Sequence, residues 1–532
     1  MTRAPSACPD SEAGAILHQR RRVARPLLAG AAVVLAAVLT GAVLIGAGAT
    51  GPRATRAREG AAGERGGAQT SVRIASAADG TTVPASFLGV SFESWGLPLF
   101  ERHGALLART LSLLRAPGGA PLIVRVGGNS TDRTFWDPTG RRLAPWAFGL
   151  TPRYFRQIAE LVRRTGARIL FDLNLATATA TASVQVAAAA EGLLPHGSIM
   201  GFEVGNEPDH YDHAGWLAKL SRHAHGFYVV RRPMSPARYV ADFDAYARML
   251  APIAPRTPLV GPAVGYPLLD ASWISKLLDG RHPRLALVSA HLYPYTACAQ
   301  PGSPNYPTVD RLLSEHASAG LARLIAPGAE LADHAGLALR VTELNSVSCG
   351  GRPGVSDSFA SALWAPDALF ELLRAGVDGV NIHVRAEAVN GAFALSSHGL
   401  LARPLLYGLS LFTRTLGPGA RLVQTQQQAS SSGRLKVWAV RLASGKLHVL
   451  LIDKGRRSTT VRLRLATSAT ATLQRLLAAG PGSRSGVTLD GQRLGSDGRW
   501  HGRSSPEAIR PAAHGYTVTL APYSAALLSV PG

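Results

Sequence analysis

Two glutamates in this sequence occupy positions from which an acid and a nucleophile could act together. The segment GFEVGNEPD (Gly201–Asp209) is an apolar, strand-like run that ends in Asn206-Glu207-Pro208. Pro208 has no N–H to offer a ladder, so the strand stops just after Glu207. The segment LRVTELN (Leu339–Asn345) is a second apolar run, and it ends at Glu343. Carboxylates at the ends of buried strands are costly if they only pack. They become useful when one is kept protonated as a general acid and the other stays ionised as a nucleophile. The plain alternative is a pair of carboxylates that cap helices or pair with arginine. Against it, both glutamates lie at the same end of their strands and both have turn-forming neighbours.

Bringing two such groups together requires strands that open onto one mouth. Short β-branched runs followed by helix-like stretches recur along the chain: FLGVSFE (Phe87–Glu93), PLIVRVGG (Pro121–Gly128), RILFDLN (Arg168–Asn174), MGFEVGNE (Met200–Glu207), PLVGPA (Pro258–Ala263), ALVSAHLY (Ala286–Tyr293), ALRVTELN (Ala338–Asn345) and GVNIHV (Gly379–Val384). Continuously apolar strands alternating with helices predict a parallel sheet covered by helices. Eight of them over about 320 residues predict an α/β fold, a (β/α)8 TIM barrel with long loops, whose chemistry gathers at the C-terminal strand ends. From about Arg421 the texture changes to short alternating strands between Gly and Ser turns, such as RLKVWAVRLA and TVTLAPYSAALLSV. This predicts an antiparallel β-sandwich, with SVRIAS near Ser71 joining it from ahead of the barrel. The predicted organisation is an export segment over 1–49, a flexible linker over 50–69, a strand of the sandwich within 70–86, the barrel over 87–418 and the sandwich over 419–532.

Arg20, Arg21, Arg22 and Arg25 precede an uncharged run from Pro26 to Pro52, with its apolar heart at Leu27–Ala49. That is an export signal, either cleaved after Ala49 or retained as a signal anchor. Both readings put the body outside the cytoplasm, secreted or anchored on the outer face of the cytoplasmic membrane. The 532 residues are 46% hydrophobic, which excludes wholesale disorder. The net charge of +22 favours anionic partners, yet it is almost all arginine, as a GC-rich genome would also write it. Only 6% of residues are aromatic and no compact basic motif carries stacking rings, so nucleic acid is not an expected partner. Three cysteines exclude a disulfide-dense scaffold, and no H-E-x-x-H or cysteine cluster asks for a metal.

The ordered set of motifs resembles clan A glycoside hydrolases, with Asn206-Glu207-Pro208 on barrel strand four and Glu343 on strand seven. In finer detail it resembles glycoside hydrolase family 79, the β-glucuronidase and heparanase group. The matching pieces are FLGVSFE, VRVGGNSTD (Val124–Asp132), FEVGNEPD, SAHLY (Ser289–Tyr293), TELNSVSCGG (Thr342–Gly351), PLLYGLSLF (Pro404–Phe412) and the closing TVTLAPYSAALLSV. The resemblance implies a retaining hydrolase of β-linked glucuronic acid that needs no cofactor. Glu343 is then the nucleophile and Glu207 the acid/base. Arg125 is expected to hold the charge of Glu343, and Glu343 to raise the pKa of Glu207. Asn206 is expected at the sugar 2-hydroxyl, Glu93 and Asn129 at other hydroxyls, and His291 and Tyr293 beside the reacting groups.

The loop Ser348-Cys349-Gly350-Gly351 resembles the family's carboxylate-binding loop, except that Cys349 stands where the family usually has glycine. His383 and Phe393 are candidates to line the same pocket. Cys298 and Cys349 follow neighbouring strands and are expected to form a disulfide in an oxidising compartment, whereas Cys8 stays reduced. The competing readings are another clan A enzyme on neutral sugars, an endo-acting heparanase-like enzyme, and a non-catalytic glycan-binding protein. The membrane enters only through the N-terminal segment, if uncleaved.

Overall fold

The computed structural model describes residues 68–532, apart from 142, 214, 221–227, 266–270, 429–433 and 513–514. The predicted export segment and most of the predicted linker lie outside the described residues. Among the described residues no helix is long and apolar enough to cross a membrane.

The eight runs read from the sequence form a closed parallel barrel. In order, its strands are Leu88–Glu93, Ile123–Gly127, Arg168–Leu173, Ile199–Val204, Leu259–Val264, Leu285–Leu292, Ala338–Leu344 and Gly379–Val384. Residues of the first, second, fifth and eighth are buried throughout, as strands covered by helices outside and side chains inside must be. Local chemistry sets the helix ends. Pro152–Thr165 begins with the Thr151 hydroxyl accepting from the Tyr154 N–H at 3.2 Å and stops at Gly166, whose φ of 68° ends it. Such a cap stabilises a helix by about 1 kcal/mol.

The barrel interior is layered. Toward the N-terminal strand ends Ile123, Leu170, Val260 and Leu287 form a small apolar plug, beside which Arg340 donates to Asn381 at 2.6 Å. Nearer the mouth the filling is polar: Ser91, Arg125, Asp172, Glu203, Ser289 and Thr342 are all buried. A charged layer inside a barrel is tolerable only if its members pair, and these do.

The C-terminal region is one ten-stranded sheet that encloses its own apolar core, including Val72, Val437, Val449, Val461, Leu473, Val518 and Leu528. Two expectations need correction. The first strand begins at Ala68, inside the predicted linker, and runs to Thr82. The sheet is also not wholly antiparallel. This strand pairs antiparallel with Arg421–Gln427 but parallel with Thr459–Arg464, from Ala68 opposite Thr459 to Arg73 opposite Arg464. A strand arriving from the far end of the chain has no hairpin to dictate its direction, so it can run parallel to a neighbour without a crossover of its own.

The helix Phe359–Arg374 is buried from Phe359 to Leu373 because it lies between barrel and sandwich. Its Asp367 accepts from Trp438 Nε1 at 3.0 Å and from Lys454 Nζ at 2.6 Å, both on the sandwich side, and Phe370 stacks on Trp438 at 5.2 Å.

Candidate active site

Strand register and closure determine which groups meet at the mouth. Glu343 lies opposite His291 on the neighbouring strand, Glu203 opposite Asp172, and His383 opposite Ser91. At the centre is Arg125, wholly buried. Its Nε donates to Glu203 at 2.5 Å, Nη1 to Glu343 at 3.0 Å, and Nη2 to both Asp172 and Asn206 at 3.0 Å. One guanidinium thus faces three carboxylates. Burial would push Glu203 up, but the charge of Arg125 holds it below the ordinary carboxylate value. Burial dominates at Asp172, which is raised well above its ordinary value, with Glu203 adding to the rise and Arg125 opposing it.

Glu343 is nearly buried. Besides Arg125 on Oε2, it accepts from the Tyr293 hydroxyl on Oε1 at 2.5 Å. Burial and the adjacent Glu343 push the Tyr293 phenol far up, so it stays a donor. His383 Nδ1 lies 3.4 Å from Glu343 Oε2 and its Nε2 lies 3.6 Å from Glu93 Oε1. Glu93 also accepts from Ser130 N at 2.9 Å and Oγ at 2.5 Å. Burial opposes its ionisation, but His383 and these hydrogen bonds bring it down to about 2.

Strand four stops at Val204, three residues before Glu207 and not just after it as expected, and Glu207 opens the following turn with φ at 48°, a left-handed conformation unusual for a residue with a side chain. Its N–H donates to Ala263 O at 3.0 Å, and Ala263 has φ at 53°. His291 Nδ1 lies 3.0 Å from Glu207 Oε1 and His210 Nδ1 3.4 Å from Oε2. The expectation that ionised Glu343 raises the pKa of Glu207 is overturned. Burial does push it up, but the two imidazoles outweigh burial and hold the carboxyl well below the ordinary value. One oxygen of Glu207, a ring nitrogen of His291 and one oxygen of Glu343 all lie within 4.8 Å of one another.

The remaining sequence candidates surround this pair. Asn206 is buried and donates to Asn129, which is exposed, at 3.1 Å. The loop after Glu343 turns through Cys349, Gly350 and Gly351 with φ of 56°, 78° and 87°. Cys349 therefore adopts at some cost a conformation that glycine takes freely. A disulfide joins it to Cys298, Tyr295 and Thr296 pair with Val347 and Ser348, and Gly350 O accepts from Val389 N at 2.9 Å. Phe393 does not line the pocket; it is buried in the apolar core against Phe100 at 5.8 Å.

Several residues of the site were not singled out from the sequence. Asp172 and Glu203 carried a usable signal, a carboxylate inside an otherwise apolar strand. His210, three residues after Glu207, carried another. Gly265 carried none: a Cβ there would meet His210 Cε1 at 2.8 Å and the Glu207 carboxyl at 2.9 Å.

No family model and no curated protein matches this chain. Solved structures do match it. A 4-O-α-L-rhamnosyl-β-D-glucuronidase from Fusarium oxysporum 12S superposes with a TM-score of 0.71 at 18% identity, covering 86% of this chain and 100% of that one. A glycoside hydrolase family 51 arabinofuranosidase from Xanthomonas axonopodis pv. citri gives 0.61 at 14% identity, covering 87% and 99%. The catalytic domain of a family 30 xylanase C from Talaromyces cellulolyticus gives 0.52 at 14%, covering 87% and 100%. The chain has the barrel-plus-β-domain fold of these glycoside hydrolases.

Proposed function

We propose that this protein is a retaining glycoside hydrolase that releases β-linked glucuronic acid. The observation that carries the reaction class is the approach of Glu207 and Glu343 to within 4.8 Å at the barrel mouth. Retaining enzymes hold their two carboxyls about 5–5.5 Å apart, whereas inverting enzymes need about 6.5–9.5 Å to admit a water. Glu343 attacks the anomeric carbon as Glu207 protonates the departing oxygen. Glu207 then takes a proton from the water that displaces Glu343. Arg125 and Tyr293 each donate to one oxygen of Glu343 and hold it aimed. In this scheme Asn206, which accepts from Arg125, holds the sugar 2-hydroxyl, and Glu93, Asn129 and His291 complete the sugar's surroundings.

The preference for an acidic sugar rests on the left-handed loop Cys349–Gly351: the Gly351 N–H closes the turn onto Ser348 O at 3.2 Å, which leaves the Cys349 and Gly350 N–H groups to meet an anion. It also rests on the family 79 motifs and on the likeness to the Fusarium rhamnosyl-glucuronidase. The disulfide, of a kind that persists in oxidising compartments, supports secretion or display outside the cytoplasm.

The test is hydrolysis of aryl β-glucuronide, 4-O-methylglucuronide, β-glucoside, β-xyloside and α-L-arabinofuranoside by the full chain. Glucuronides should react fastest, Glu343→Ala should abolish turnover, and Glu207→Gln should recover with azide by forming a glycosyl azide. Activity confined to neutral sugars removes the glucuronidase reading. Unchanged rates in both variants remove the mechanism.

A further inference from the structure

The acid/base carries a second histidine that the hydrolytic scheme above does not use. Glu207, Asp209 and His210 share one tight turn, in which the His210 N–H donates to Glu207 O at 2.8 Å. The same turn points the His210 ring at the Glu207 carboxylate, with Nδ1 3.4 Å from Oε2 and Nε2 3.7 Å from Asp209 Oδ2. Gly265 closes over this pair, and its N–H fixes Asp209 at 3.1 Å. The other oxygen of Glu207 belongs to His291, so the carboxylate is held from both sides.

We propose, building on the hydrolase reading, that His210 is the proton partner of Glu207: it stores the acid's proton in the free enzyme and exchanges it with Glu207 during each turnover. It touches Glu207 and acts through it. In the free enzyme the pair is Glu207 carboxylate and His210 imidazolium. Burial disfavours that imidazolium, but Glu207 and Asp209 more than compensate, and the ring is raised to about 9. Asp209, buried beside Glu207, is itself raised to about 6.

A sugar that covers the mouth expels water and makes a separated charge pair more costly than a neutral acid beside a neutral imidazole. The proton then moves from His210 Nδ1 to Glu207 Oε2 and on to the leaving oxygen, as the C1–O bond breaks and the bond to Glu343 forms. When water displaces Glu343 its proton passes to Glu207 and back to His210, which restores the start. The other titratable groups facing Glu207 are His291, Glu343, Tyr293 and Asp132, and Asp132 is raised by burial to about 7. None of them bonds Glu207 Oε2 among the described residues.

The experiment compares the full chain with His210→Gln, which keeps a donor but cannot titrate, on phenyl and 2,4-dinitrophenyl β-glucuronides across pH. The high-pH limb of kcat/KM for the phenyl substrate should fall by about one unit or more, because the proton must then reside on Glu207 alone. Hydrolysis of the dinitrophenyl substrate, whose leaving group needs no proton, should change by less than about threefold in the glycosylation step. An unmoved limb, or equal losses on both substrates, overturns the proposal. Nitrogen-15 NMR of the wild-type imidazoles, with His210 identified as the one resonance lost in His210→Asn while the others keep their positions, gives a readout independent of turnover. A His210 ring that is neutral at pH 7 overturns the proposal. If no glycoside is cleaved, the hydrolase reading falls and this titration alone decides whether His210 holds the proton.

Discussion

Removing Arg125 tests the electrostatics on which the site depends. In Arg125→Met the buried side chains of Glu203, Glu343 and Asp172 lose the cation that pairs with them at 2.5, 3.0 and 3.0 Å. Breaking a buried pair by deleting one partner costs about 3–5 kcal/mol. At about 2.1 cal/mol/K per residue, a folded body of roughly 460 residues unfolds with about 1 kcal/mol/K of entropy, so Tm should fall by about 3–5 °C at pH 7. The pH dependence has a definite sign. In the wild type Glu203 is held below its ordinary value of 4.5. It therefore contributes stability that is present above 4.5 and is lost as pH falls through the depressed folded value. Without Arg125 burial pushes the same carboxyl above 4.5. Its cost is then absent near pH 4 and fully present at neutral pH, so the gap in Tm should narrow on acidification. Scanning calorimetry at pH 7 and pH 4.5 reads both terms. No gap at pH 7, or a gap that widens with acid, would refute the assignment of Arg125 as the compensating charge.

Two further changes probe geometry near the reacting groups. Tyr293→Phe deletes the 2.5 Å hydrogen bond to Glu343 Oε1; a bond to a charged group is worth about 1.5–3 kcal/mol, so kcat on an aryl glycoside should drop about 10–100-fold. Circular dichroism should show an unaltered fold, and a loss below about threefold would mean that Tyr293 does not support Glu343. Gly265→Ala inserts a methyl 2.9 Å from the Glu207 carboxyl and 2.8 Å from His210. Displacing the acid by a fraction of an ångström should lower kcat by about 10-fold or more with little change in Tm, and steady-state kinetics beside a melting curve would expose a purely structural effect.

The barrel was legible because each strand is a short, largely apolar run followed by a helix-like stretch. Glu343 could be assigned to a strand end because the ladder stops at Leu344, whereas Pro208 put the end of strand four too late: it stops at Val204, and Glu207 follows it in the turn. What escaped was whatever depends on closure. Asp172 and Glu203 read as lone charges in apolar strands until the strands curl and aim both at Arg125. The ionisation of Glu207 could not be read from its distance to Glu343 alone, because His210 and His291 reach it from a turn and from a separate strand. The direction of the Ala68–Thr82 strand was hidden because its partner, Thr459–Arg464, is separated from it by the whole barrel.

That same pairing has a consequence for how the molecule is made. During synthesis the earliest-emerging strand of the C-terminal sheet must wait, unpaired, until several hundred later residues leave the ribosome, a long loop to close and a contact of very high sequence separation. The C-terminal sheet cannot be completed as an independent module, and cutting the chain between Thr82 and Leu88 would leave both fragments with an open seam. Expression of the barrel alone, or of the sheet alone, should give a product prone to self-association along the orphaned edge.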